Sequence, residues 1–540
     1  MMNKFLIFAT LSGLLAGCGG GMFGTTSGKY NDAATSAPTD VQDSFIYSTS
    51  LYGSDDGGPR ADIAVLLPAS GTAKSHGNEI KTSIETAFLR KPKSNVKISF
   101  FDLSGDTNQR YDTIIQALNT NPDVIIGPLF AEDAKILRDI KPSRTPVISF
   151  TSDTTSLGDG VMTVNLIPTQ SIETIIRKMQ QDTSRGTIIL APDDKSGQMM
   201  TSVADTAAKS YNIPIHGIFY YTPGHSDSIK DVAQRASLYK MRNAANTRAR
   251  EVLSDILTNE ELSQSVRADL STQLEKLSRT ETLGELPYDS ILFLGNGDDS
   301  KKLASFLRYY GIGNHDVAFY GTTLWHDSNI TSDFTMAGAQ YATLPEISGN
   351  FISLYNFMTG KDPNYLSAFG YDAANLALGM IYSQKSGPAY FFDPSGYIGA
   401  NGAFRIQPTG ESERALRIME LDGSGEPKTI TNAPDNFLVP LYNIHMSGTK
   451  DVPEREIKTN GINPGDYIKI PENLRKKSEY KTKKIGTNYE PTTTESTNAT
   501  PNVVSVQPAA DNETISNPEF QPVKLENISR QYIDSVEIEE

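Results

Sequence analysis

The chain predicts an α/β protein with two doubly wound parallel-sheet lobes between long flexible ends, and three observations carry that expectation. Short runs that are apolar throughout alternate with amphipathic stretches, as strands buried on both faces by helices do. The alternation occurs as two successive series. Both ends change to compositions that cannot bury a core: Gly, Ser, Thr, Asp and Ala before about residue 59, and Pro, Thr, Asn, Glu and Lys after about residue 451.

The first series opens with Asp62-Ile-Ala-Val-Leu-Leu-Pro68, a run of strand length stopped by proline. A Ser70-Gly71 loop follows, and then a helical spacing through Ile80, Ile84, Ala87 and Phe88. Strand and helix recur as Val96–Phe101 with Tyr111–Leu118 and as Val124–Ile126 with Ala131–Ile140, before a last strand at Val147–Phe150. The second series runs Thr187–Leu190, a helix from Gln198 to Ser210, Ile215–Tyr220, Ile291–Leu294, a helix from Lys301 to Tyr310, and Val317–Tyr320. A crossing between lobes falls near Leu166-Ile-Pro168.

The rhythm breaks between about residues 236 and 286. Leu262, Val266, Leu270, Leu274 and Leu277 make one helical stripe there. Thr258-Asn-Glu-Glu261 has the form of a capping box. A helical hairpin inserted in the second lobe is expected, its stripe packing on its own lobe or presented to a partner.

Cys18 is the single cysteine of 540 residues, so no disulfide can form within the chain. It closes Leu15-Ala-Gly-Cys18 after Lys4 and the largely apolar stretch Phe5–Leu15, which is too short to span a bilayer. This segment resembles the lipobox of bacterial lipoproteins. The resemblance implies a signal peptide over 1–17 and lipidation of Cys18. Gly19, where Asp would mean inner-membrane retention, implies an outer-membrane anchor with the body on the periplasmic face. Residues 18–59 then form a flexible tether, and 446–540 a mostly disordered tail. A formal charge of −15 makes the chain a poor nucleic-acid binder.

The order of motifs over about 60–445 resembles the type I periplasmic-binding fold of leucine-binding proteins. The carriers are Ile63-Ala-Val-Leu-Leu-Pro-Ala-Ser-Gly71, Asp123-Val-Ile-Ile-Gly-Pro-Leu129, Pro146-Val-Ile-Ser-Phe-Thr-Ser152 and Ala191-Pro-Asp-Asp-Lys-Ser-Gly197. A narrower likeness, to the LppC-type penicillin-binding-protein activators, rests on five phrases: Gly127-Pro-Leu-Phe-Ala-Glu-Asp133, Phe306-Leu-Arg-Tyr-Tyr-Gly311, Tyr320-Gly-Thr-Thr-Leu-Trp-His-Asp327, Phe369-Gly-Tyr-Asp-Ala-Ala374 and Gly402-Ala-Phe-Arg-Ile-Gln-Pro408. The long N-terminal helical-repeat domain of the enterobacterial activators is not found in this sequence. The resemblance implies lobes joined by a multi-crossing hinge, with lobe 1 at about 60–166 and 321–399 and lobe 2 at about 167–320 and 400–445.

Ligands of open α/β sheets gather beyond the carboxyl ends of strands. The candidate cleft residues are accordingly Ser70, Gly71, Gly127, Pro128, Phe130, Ser149, Thr151 and Ser152 from lobe 1, facing Asp193, Asp194 and Gly197. Trp325 and Phe130 are candidates to stack on a ligand or close the cleft, and Tyr371-Asp372 to bond a ligand or bridge the lobes. In amino-acid binders of this fold, hydroxyls and amides hold the ligand carboxylate while an acidic group holds its ammonium, a charge open to Asp193, Asp194 or Asp372. The same hydroxyls are common turn and cap residues.

Catalysis is not expected. Ser-x-x-Lys occurs at Ser94, Ser237, Ser447 and Ser478, but Ser94 leads into a strand, where positions i and i+3 face opposite ways. Ser210-Tyr-Asn212 precedes Ser237, the wrong order for a transpeptidase. The six histidines make no metal-ligand spacing, and nothing calls for a cofactor. The reading is a non-catalytic lipoprotein, bound to the membrane through its lipid alone, whose partner is a peptidoglycan synthase (a penicillin-binding protein). The alternative is a tethered substrate-binding protein of an importer, taking an amino-acid-like ligand.

Overall fold

The computed structural model describes residues 46–52, 61–89, 95–326, 330–383, 390–437, 442, 451–475 and 482–487. Cys18 and the expected signal lie outside them, as does the tail beyond Thr487.

Lobe 1 is built on six strands: β1 (Ile46–Tyr52), β2 (Ala61–Leu67), β3 (Asn95–Asp102), β4 (Val124–Ile126), β5 (Val147–Ser149) and β6 (Val161–Thr163). Their order is β1-β3-β2-β4-β5-β6, parallel except for β1, which runs antiparallel along β3. Helices α1 (Lys74–Leu89), α2 (Thr107–Asn119) and α3 (Ala131–Ile140) make the crossovers. Alternation along β2 explains why the run is apolar at every position. Ile63, Val65 and Leu67 join one buried cluster with Ile80 and Ile84 of α1, while Ala64 and Leu66 join another with Ile114 of α2 and Leu137 of α3. Asp106 starts α2 with the reciprocal bonds of a capping box to Gln109.

Helix α4 (Pro168–Gln181) leads into lobe 2, with Pro in its first turn. There β7 (Thr187–Pro192), α5 (Lys195–Ser210), β8 (Ile215–Tyr221), α6 (Ser226–Ala236), the helical pair α7 (Tyr239–Leu257) and α8 (Gln264–Ser278), β9 (Ser290–Phe293), α9 (Gly297–Tyr309), β10 (Ala318–Gly321) and β11 (Gln340–Thr343) follow. The chain then forms α10 (Gly349–Thr359) and α11 (Tyr365–Tyr382), and α11 packs on α1 of lobe 1, with Gly370 allowing the approach to Ile80 and Ser83. A separate three-stranded sheet comprises β12 (Tyr397–Gly399), β13 (Gly402–Ile406) and β14 (Ser412–Arg414). Finally β15 (Arg417–Glu420) and β16 (Lys428–Thr431) add antiparallel strands to lobe 2, giving the order β16-β15-β11-β10-β9-β7-β8.

Four differences from the sequence expectation have identifiable causes. The lobe boundary expected at 320/321 lies after Thr343, because Gln340–Thr343 pairs parallel with β10; a four-residue strand is too short to declare a period. Residues 397–414, divided between the lobes in the expectation, instead form their own sheet. The tether range 18–59 includes β1, whose Ser- and Thr-rich sequence lacks an apolar run. The tail range 446–540 contains an ordered stretch over 451–475 that closes in a short helix, α12 (Glu472–Arg475). Its isoleucines are isolated among polar residues, so they carry no periodic signal.

The hairpin at 236–286 forms, but Thr258 is not its cap. Its hydroxyl donates back to Asp255 O (2.6 Å), closing α7, while Ser263 caps α8 through Val266 N–H (3.4 Å). Leu270 and Leu277 of the stripe are buried with Val252 and Ile256 of α7 and with Ile468 and Leu474 of the tail.

Gly197 measures how closely α5 sits on the end of β7. A Cβ there would lie 2.0 Å from Pro192 O. Gly197→Ala is expected to lower unfolding stability by about 1–3 kcal/mol through forced separation. Gly71→Ala, in open space at φ +71°, is expected to cost about 1–2 kcal/mol through conformation alone. Urea titration of each variant checks both values.

Candidate functional site

Among the described residues, chain crossings that join the lobes run through Val164–Ile167 after β6, Leu344–Ser348 after β11, and Ala415–Leu416 before β15. Arg414, the last residue of β14, directly precedes the third of these and bonds the first. It is almost fully buried, and its Nε donates to Val164 O in the first crossing (2.8 Å). Nη1 donates to Asn401 Oδ1 (2.8 Å), and Nη2 to Asp372 Oδ2 on α11 (3.0 Å). Phe369 and Phe404 flank the guanidinium at 4.4 and 4.6 Å, a sandwich that suits the flat, weakly hydrated guanidinium better than a Lys ammonium.

Neighbouring groups extend the tie. Gln170 of α4 accepts from Arg414 N–H (3.1 Å) and donates to Ser412 O, while Ser412 Oγ donates to Asn165 O. Three residues past Arg414, Arg417 Nε donates to Leu344 O in the second crossing (3.1 Å). Asp372 is thus held by Arg414 and by Ala400 N–H (2.7 Å). Burial raises its carboxyl above the usual range, while the Arg414 charge and the Ala400 N–H pull it back. Where a bond to a ligand or between the lobes was expected of Asp372, its carboxylate joins α11 to Ala400 and Arg414 at the small third sheet.

The other candidates divide by what their side chains already bond. Ser149 Oγ donates to Met162 O (2.9 Å), within the sheet. Thr151, also buried, accepts Asp153 N–H at its hydroxyl (3.0 Å). Asp194 is the N-cap of α5 and accepts Gly197 N–H (2.7 Å); Asp193 is exposed and accepts from Thr222 Oγ1 (2.7 Å). Trp325 is a core residue: fully buried between Phe293 and Tyr341, it donates Nε1–H to Ser300 Oγ (3.0 Å). Tyr371 packs on Phe351 at 4.4 Å.

Ser70, Gly71, Phe130 and Ser152 remain at the surface or half-buried at the strand ends. The Ser70 loop is tied down through Ser104, whose Oγ accepts Ser70 N–H (3.1 Å) and donates to Ser70 O (3.0 Å). Gly127, joined to Pro128 by a cis peptide, has φ +100°, and a Cβ there would lie 2.1 Å from Leu66 O. Glycine therefore lets this loop pass beside β2. Phe130 opens α3 and is 38% exposed.

The facing edge of lobe 2 is acidic. Burial above all, and then Asp299, Asp194 and Asp193, push the Tyr221 phenol well above its usual value. Asp299 accepts from Gly224 N–H (3.2 Å) and from Lys302 (3.1 Å), so it is already engaged. Among the described residues no cluster of three His, Cys, Asp or Glu side chains is placed to hold a metal, and no helix is long and apolar enough to cross a membrane. Ser237, from the Ser-x-x-Lys search, is buried and donates to Gln234 O (2.9 Å).

A putative branched-chain amino acid ABC transporter from Rhodospirillum rubrum superposes at TM-score 0.52 and 15% identity, over 69% of this chain and 100% of that one. The fold is that of the type I periplasmic-binding proteins. The leucine-binding protein LivK of Thermotoga maritima gives TM-score 0.43 at 14% identity, over 68% of this chain and 97% of that one. Full-length LpoA of Haemophilus influenzae, whose C-domain is described as belonging to a regulator of PBP1A, gives 0.47 at 17%, over 69% of this chain and 59% of that one. These are likenesses of fold. No protein-family model matches the chain, and no curated protein matches its sequence.

Arg414 and Gln170 were invisible to motif reading. Arg414 stands in Ser412-Glu-Arg-Ala-Leu416, where nothing separates a buried arginine from a solvated one. Removing one member of a buried ion pair typically costs about 3–5 kcal/mol. Arg414→Met is expected to fall in that range by urea unfolding, and adding Asp372→Asn to it is expected to cost much less than the sum of the two single changes.

Proposed function

We propose that this protein is a non-catalytic periplasmic lipoprotein, anchored to the outer membrane through Cys18, that binds and stimulates a peptidoglycan synthase. The observation that carries the reading is the internal use of the groups an amino-acid binder of this fold turns towards its ligand. Ser149 and Thr151 bond within lobe 1, Asp194 caps a helix, and Asp372 is held by Arg414. A carrier turns such groups to its ligand, whose own polar groups must be satisfied in the closed cleft, whereas here each already spends part of its hydrogen-bonding capacity within the fold. A regulator that acts through its outer surface has no such need. The lipobox and the activator-like phrases at Gly127–Asp133 and Tyr320–Asp327 support the same reading.

Stimulation requires differential affinity. The protein must bind the active conformation of the synthase more tightly than the resting one, and the rate gain is bounded by that difference. The roughly 28 residues between Cys18 and β1 would span about 30 Å as a random coil, which would keep the body near one membrane, where a fixed partner is met repeatedly.

The test pairs two measurements on the signal-free protein. Glycan polymerisation by a purified penicillin-binding synthase is expected to speed up when the protein is added. A panel of amino acids is expected to leave its melting temperature unchanged, whereas a ligand at a hundred times its Kd would add about 2.7 kcal/mol of stability. An amino acid that stabilises at micromolar concentration, together with no retention of any synthase, contradicts the proposal and favours the importer reading.

A further inference from the structure

The C-terminal stretch over 451–475 lies in a prepared groove on lobe 2. Strand β8 is the edge of its sheet, and Ile218 at its middle exchanges both backbone hydrogen bonds with Arg455 (2.8 and 2.9 Å). Two glycines form notches where the segment's isoleucines sit. A Cβ at Gly217 would stand 2.9 Å from Ile457 Cγ1, and one at Gly284, where φ is +101°, would stand 2.5 Å from Ile462 Cδ1.

The polar grip is as specific as the apolar one. Arg235 Nη1 donates to Glu454 Oε1 (2.9 Å) and Glu456 Oε1 (2.8 Å), while its Nε is fixed by Asp231 (2.7 Å) and its guanidinium lies 5.3 Å from the Phe219 ring centre. Tyr220 OH donates to Val452 O (2.7 Å). Further along, the Gln273 side chain of α8 bonds both backbone groups of Lys469 (2.8 and 3.1 Å), and Ile468, Ile470 and Leu474 lie over the hairpin's apolar stripe. Lobe 2 therefore reads an extended backbone and its alternate side chains, as proteins do when a peptide is added to a sheet edge.

We propose that this groove is a docking site for an extended peptide with two acidic residues at i and i+2 followed by a β-branched aliphatic residue, and that residues 451–475 occupy it in cis as an autoinhibitory strap. The segment displays that chemistry itself as Glu454-Arg-Glu-Ile457. Among the described residues its backbone hold on β8 is the Ile218–Arg455 bridge, and beside the buried Ile457 and Ile462 it depends on Arg235 ion pairs that solvent reaches and salt screens. A tethered occupant competes at high effective concentration, so a partner segment enters only once the strap is loosened. While seated, the strap covers a strand edge that would otherwise pair with other chains. The inference stands independently of the synthase reading.

The test uses the full chain and a fluorescein-labelled synthetic peptide of residues 451–475, followed by fluorescence anisotropy. Glu454→Lys with Glu456→Lys sets like charges against Arg235 and loosens the cis strap. The doubly substituted chain is expected to bind the peptide at least about tenfold more tightly than the unaltered chain, because the intramolecular competitor is weakened. Adding Arg235→Glu is expected to abolish the gain. Hydrogen exchange of the unaltered chain needs no variant: the Ile218 and Arg455 amides are expected to exchange by local opening, faster than Ile189 in the adjacent strand. Equal peptide affinity of the two chains, or Ile218 and Arg455 amides as slow as that of Ile189, overturns the proposal.

Discussion

The guanidinium of Arg414 is the buried contact that ties the first crossing between the lobes to α11 and to the small third sheet. A buried arginine is costly unless its donors are met, and here they reach a crossing carbonyl, an asparagine and the carboxylate of α11, with aromatic rings on both faces. Each partner belongs to a different part of the chain. The first crossing, the buried helix that returns to lobe 1 and the small third sheet thus share one satisfied charge, and Arg417 adds the second crossing. Buried charge of this kind fixes one arrangement more firmly than apolar packing of equal area, because any shift strands a polar group.

That arrangement bears directly on the cleft. Type I binding folds can carry ligands by closing on them, and closure needs a hinge that turns and polar groups that wait. In this chain the acid on α11 is part of the hinge, the strand-end hydroxyls at 149 and 151 stitch lobe 1, and the acid at 194 caps a helix. The engagement of these groups within the fold is the basis of the proposed regulator reading. In lobe 2 the helical hairpin and the C-terminal segment pack together through one buried cluster.

Much of the α/β framework was legible because its signal is local. Ile63, Val65 and Leu67 on one face of β2 with Ala64 and Leu66 on the other require helices on both sides, and the sequence states this as an uninterrupted apolar run. What escaped were features set by partners far along the chain. Gln340–Thr343 is a strand only because β10 and β15 flank it. Thr258 has the form of a helix start but closes the preceding helix, since its hydroxyl reaches a carbonyl three residues back. Trp325 and Asp372 were recognised as important, but whether an aromatic or an acid faces a cleft or a core depends on Phe293, Ser300 and Arg414. Ser149 illustrates the same limit: a serine at a strand end is a ligand donor or a stitch according to whether Met162 O is within reach.

The central claim is that the lobes hold one separation whatever amino acid is present. Distances between spin labels at Glu132→Cys on α3 and Asp298→Cys on α9, in a signal-free chain lacking Cys18, test it directly by pulsed electron resonance. The account predicts one narrow distance distribution, unchanged across the common amino acids. A shift to a shorter distance with any of them at micromolar concentration would contradict it.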